Sequence, residues 1–94
     1  MKIKIKHTTE IEQDVPLPYY GFDKLYDAYL MVTENVFIQV SSQIIHFKEY
    51  STENDYQTKH IAEYIERSTQ CTEEEFNQQM NISQQKLVSL LSNN

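Results

Sequence analysis

Through the first fifty residues apolar side chains tend to alternate with polar ones, and from about residue 60 they recur every three or four positions instead. A period of two belongs to a half-buried strand and a period near 3.6 to an amphipathic helix, so strands come first and helices last. That order limits the chain to an α+β fold: a small, mainly antiparallel sheet of about four strands, with two C-terminal helices packed on one face. At 94 residues there is material for one hydrophobic core, and 1–94 reads as a single domain.

Residues 2–12 read as one half-buried strand. Ile3, Ile5, Thr9 and Ile11 share a face with His7, and Lys2, Lys4, Lys6, Thr8, Glu10 and Glu12 share the other. Pro16 and Pro18 end it, because proline has no amide proton for a strand ladder. Tyr19-Tyr20-Gly21-Phe22-Asp23 reads as an aromatic reversal, with Gly21 at the one position where a positive φ costs nothing. Residues 25–33 and 36–41 flank Glu34-Asn35 and read as a hairpin, although the pair lacks the glycine that a primed turn prefers. Ile44-Ile45-His46-Phe47, running on toward Tyr50, makes the fourth strand, and sequential pairing gives a meander.

Ile61, Ala62, Tyr64 and Ile65 fall at helical spacing between the capping cluster Thr52-Glu53-Asn54-Asp55 and the polar exit Arg67-Ser68-Thr69-Gln70. Thr72-Glu73-Glu74-Glu75 then opens a second helix. A threonine followed three residues later by glutamate is a capping box, and three first-turn carboxylates suit the positive helix end. Phe76, Met80, Leu87, Leu90 and Leu91 carry one stripe to the end of the chain, and Asn81-Ile82-Ser83 is where this helix is expected to bend or split.

Two short runs, Val15-Pro16-Leu17-Pro18-Tyr19-Tyr20 after a first strand and Thr72-Glu73-Glu74-Glu75-Phe76-Asn77 at the start of a C-terminal helix, carry a resemblance of layout. The chain resembles short uncharacterised proteins encoded by phages and mobile elements of gut bacteria. The resemblance implies an accessory protein of unassigned activity and supplies no functional residue.

The composition removes whole classes of function. Eight Lys and Arg against fourteen Asp and Glu give a net charge of −6, which disfavours binding to duplex nucleic acid, since that depends on neutralising phosphates. A single glycine cannot supply the glycine-rich fingerprints that cradle dinucleotides or nucleoside triphosphates. Cys71 is a lone thiol just ahead of a helix start, opposed by Glu73, Glu74 and Glu75, and reads as a packed, unreactive side chain. His7, His46, His60, Glu63 and Glu66 do not reproduce a metal-ligand spacing. No catalytic, cofactor-binding or metal residues are therefore assigned, and the chain reads as a non-enzyme without cofactors. The N-terminal MKIKIKHTTE lacks the apolar stretch of a secretory signal, and no run approaches a membrane span, so a cytoplasmic location without membrane partners is expected.

Function by contact remains. Tyr19, Tyr20, Phe22, Tyr26 and Tyr29 are candidate contact aromatics, because tyrosine offers a large amphipathic area at low entropy cost. Glu53, Asp55, Glu63, Glu66, Glu73, Glu74 and Glu75 are candidate acids that could present nucleic-acid-like charge to a basic channel. The expected role is a small phage- or mobile-element-encoded accessory protein or inhibitor. It would act stoichiometrically on a host protein, such as a defence or nucleic-acid-handling factor, in the manner of an anti-CRISPR. Two other classes stand beside it: a binder of single-stranded nucleic acid or a small ligand through the Lys2, Lys4 and Lys6 strand and the tyrosines, and a self-associating homodimeric structural protein.

Overall fold

In a computed structural model the described residues are 2–6, 10–42 and 44–92, with side chains described for 14–42 and 44–92. Strands β1 (Lys2–Lys6) and β2 (Glu10–Asp14) form a separate antiparallel pair. Strands β3 (Tyr19–Asp23), β4 (Ala28–Val32), β5 (Val36–Val40) and β6 (Ile45–Glu49) follow as a meander. Helix α1 (Asp55–Arg67), the short strand β7 (Thr69–Gln70) and helix α2 (Glu73–Ser92) complete the chain. Strand β7 pairs with β3, so the main sheet has five strands in the order β6-β5-β4-β3-β7, every pair antiparallel.

The α+β class read from the two periods is the class observed. Three details differ. The segment read as one strand over 2–12 is two strands, with Lys6 opposite Glu10 and Lys2 opposite Asp14. The reversal expected at Tyr19–Asp23 comes one step later: those residues are β3, and Asp27 takes the positive φ of 50°. Gly21 sits mid-strand, where the missing side chain matters for space. A Cβ there would lie 2.7 Å from Ser68 Oγ and 2.8 Å from Cε1 of Tyr19, far inside contact distance.

The third difference concerns the helices, which take opposite faces of the sheet. Tyr19, Leu30, Val32 and Phe37 lie on one face by strand register, and they cluster with Ile61, Ala62 and Ile65 of α1. Val15 and Tyr50 complete that core. The neighbouring residues in β3 alternate to the other face, where the Tyr20 ring meets Phe76 of α2 at 5.7 Å between centroids. Sequence periodicity identifies a helix's apolar stripe but not which side of a sheet receives it, because both faces of β3 to β5 carry apolar residues.

Local chemistry fixes the element ends. At α1 the Asn54 side chain accepts from the Gln57 amide at 3.1 Å, the expected N-cap bond. At α2 Thr72 Oγ1 accepts from the Glu75 amide at 3.1 Å, while Glu75 Oε1 accepts from the Thr72 amide at 3.4 Å, so the capping box is formed. The β4–β5 hairpin does without a glycine because none of residues 33–36 takes a positive φ, and the Thr33 hydroxyl closes the turn by accepting from the amides of Asn35 and Val36. Helix α2 does not split at Asn81–Ser83 but runs through it unbroken. Ser83 is buried there and donates to the Ser41 carbonyl at 2.6 Å, pinning the helix to the end of β5.

Candidate functional site

Pinning at Phe76 and Ser83 leaves the last nine residues of α2 with little beneath them. The stripe that starts at Phe76 and Met80 continues through Leu87, Leu90 and Leu91, yet Phe76 is buried while those three leucines are 50 to 65 % exposed. A helix turns every 3.6 residues, so these side chains still point toward the sheet side while running past its edge. Between this overhang and the β5–β6 connection lies an open groove of about 560 Å³, lined by Ser42, Ile44, Ile45, Ser83, Lys86, Leu87 and Leu90.

The sheet has a matching bare corner. Because α2 crosses its face diagonally from β3 to the end of β5, strand β6 on that face goes uncovered. Ile45 and Phe47 share the α2 side of the sheet with Val40 and Ile38, their register partners, and Phe47 is 66 % exposed. Strand β6 is also a sheet edge, apolar on this face at Ile45 and Phe47 and charged toward its end at Lys48 and Glu49. From Asn77 to Ser92 only Lys86 is charged, so the overhang is a nearly neutral apolar surface on an acidic molecule.

The residues singled out from sequence are distributed differently. Tyr19 is in the core, its hydroxyl 2.7 Å from Ser68 Oγ. Tyr20 is half-buried against Phe76, and Phe22 is half-buried against the Tyr29 ring at 4.9 Å. Tyr26 is exposed in the β3–β4 turn, and its ring and that of Tyr64, 6.4 Å apart between centroids, lie on adjacent sides of the Arg67 guanidinium. These five aromatics therefore do not form one surface. The acids Glu53, Asp55, Glu63, Glu73, Glu74 and Glu75 are exposed and Glu66 half-buried. Except for Glu53, which precedes α1, they ride on two helices that lie on opposite faces of the sheet.

The side chains of Lys2, Lys4 and Lys6, and all of His7, lie outside the described residues. The backbone register is informative: Lys2, Lys4 and Lys6 stand opposite Asp14, Glu12 and Glu10. Each lysine of the proposed basic face thus has an acid as its cross-strand partner, the arrangement that favours strand pairing over phosphate binding.

Reactive groups have no matching partners among the described residues. Burial, and then the Glu75 carboxylate, push the Cys71 thiol up, so less of it is thiolate at neutral pH than in a free cysteine. His60 lies on the exposed face of α1, 4.0 Å from Glu63 and stacked near Tyr56. No group of three His, Cys, Asp or Glu side chains converges among the described residues, and no described helix is long and apolar enough to cross a membrane.

The leucines of the overhang are visible in the sequence as a helix stripe, but periodicity does not show whether a sheet lies beneath them. The signal that distinguishes them is length, since a 20-residue helix outruns the few strands it packs on. Comparison with models of protein families, with curated proteins and with solved structures finds no match.

Proposed function

We propose that this chain is a non-enzymatic contact module that binds another polypeptide stoichiometrically, as expected for an accessory protein of a phage or mobile element. The reading is carried by a single observation: the buried stripe of α2 continues as exposed leucines beside an apolar groove and the exposed Ile45 and Phe47 of β6. Apolar surface of this kind remains in water at a free-energy cost of roughly 25 cal/mol per Å². A partner that covers it recovers that energy. The acids keep the molecule soluble and steer encounters, while the apolar surface supplies the contact.

Affinity purification from the native host with wild-type protein and Leu90→Glu, at low and at high salt, tests this reading. A partner held by wild type through the salt wash and lost from Leu90→Glu is the expected result. Retention that disappears with salt and ignores Leu90→Glu places the contact on the helix acids and overturns it.

A further inference from the structure

We infer that the polypeptide covering this surface is a second copy of the same chain, in a reciprocal two-fold dimer that lays the α2 overhang of each copy across the bare β6 corner of the other. The inference rests on the contact reading above and names its partner. Each molecule carries both halves of the contact side by side, an apolar helix end that projects and an apolar strand face that receives. A two-fold axis uses both at once, with each residue of the overhang meeting the same corner residue in either direction.

Charge supports the pairing. Molecules with a net charge of −6 repel at most orientations, but the overhang carries no acid and only Lys86 as a base. The receiving corner carries Glu49, on the same face of β6 as Ile45 and Phe47 by strand alternation. Overhang on corner therefore brings opposite charges together at the rim of an apolar contact. Overhang on overhang would set Lys86 against Lys86.

Area supports it as well. Leu87, Leu90, Leu91, Ile45 and Phe47 are 38 to 66 % exposed. At roughly 150–250 Å² for a large side chain, they leave on the order of 500 Å² of apolar surface per molecule in water. A patch of that size is at the upper end for a monomer, and interfaces are about 60 % apolar. The whole contact then comes to about 800 Å² per partner, the size of a standard specific interface.

Sedimentation equilibrium of the full chain across the micromolar range tests the dimer. Wild type is expected at twice the chain mass. Leu90→Glu on the overhang and Phe47→Glu on the corner are each expected to weaken dimerisation about tenfold or more, with circular dichroism unchanged because both side chains are already exposed. Mixing the two variants is the decisive arm. In a reciprocal pair one of the two contacts in the mixed dimer is entirely wild type, so the mixture dimerises more tightly than either variant alone. A wild-type monomer throughout the range overturns the second-copy assignment, leaving the contact reading to its own salt-wash test. A dimer indifferent to both substitutions, or a mixture no tighter than its components, overturns the overhang-on-corner arrangement.

Discussion

Asp23 is 0 % exposed and its carboxylate takes a three-centre hydrogen bond from Arg67 Nε–H, one from Nη2 at 2.7 Å, and one from the Leu25 amide. Arg67 is about a third exposed, with its guanidinium against the neighbouring Tyr26 and Tyr64 rings. This latch ties the β3–β4 turn to the last turn of α1. Breaking it is asymmetric, because the cost depends on which charge is stranded. Arg67→Met leaves a buried carboxylate unpaired and is expected to lose about 3–5 kcal/mol. Asp23→Asn keeps an acceptor for Leu25 and strands a guanidinium that reaches water, so the loss should be at most about half as large. Urea denaturation of the two variants checks the order, and a larger loss for Asp23→Asn would contradict it. None of this was legible in the sequence, since Asp23 and Arg67 are 44 positions apart and each has an ordinary local explanation, a turn residue and a helix C-terminal cation. Gly21 was legible as special, but for the wrong reason: only the packed Ser68 and Tyr19 show that it needs space rather than a positive φ.

Element boundaries were the most readable part of the chain wherever side chains cap backbone groups. Asn54 and Thr72 start α1 and α2 as their residue types require, and the Thr72–Glu75 pair forms the reciprocal bonds that the spacing implied. Thr72→Ala removes both the hydroxyl that accepts from the Glu75 amide and its tie to the Glu75 carboxylate. A loss of about 1 kcal/mol is expected, which in a chain of this size lowers Tm by roughly 4–8 °C. Thr72→Ser should retain most of it, because the oxygen is kept; calorimetry showing equal losses for Ala and Ser would mean that the cap contributes nothing. Where no side chain announces a boundary, the sequence misled. Lys-Ile-Lys-Ile-Lys and Glu-Ile-Glu-Gln-Asp keep the same alternation on both strands, and His7-Thr8-Thr9 between them contains no Gly, Pro, Asn or Asp. Two paired strands then look like one long strand. The charge pattern held the missing clue, since three lysines followed by three acids at mirrored positions is what an antiparallel pair needs.

The molecule as a whole is elongated, 52 × 24 × 20 Å, although its core is compact. A 20-residue helix is about 30 Å long, whereas the three strands β3, β4 and β5 that α2 crosses span only about 10 Å between their axes. Even a diagonal path leaves helix to spare, and the leftover length is where the exposed leucines are. Folding is therefore carried by the first half of α2, and the proposed association by the second. Phe76 and Ser83 hold the helix to the sheet, while Leu87, Leu90 and Leu91 contribute little to the core. Deleting residues 86–94 should leave a cooperatively folded chain. In dilute solution its Tm is expected within about 4 °C of the full chain, less than the shift for 1 kcal/mol. At high concentration the two should separate. Binding between folded copies adds stability in proportion to the logarithm of free protein, so the Tm of the full chain rises with concentration while that of the truncated chain stays flat. A truncated chain that unfolds at low temperature even when dilute would put the overhang inside the core, and a full-chain Tm independent of concentration would leave the leucines without a partner of their own kind.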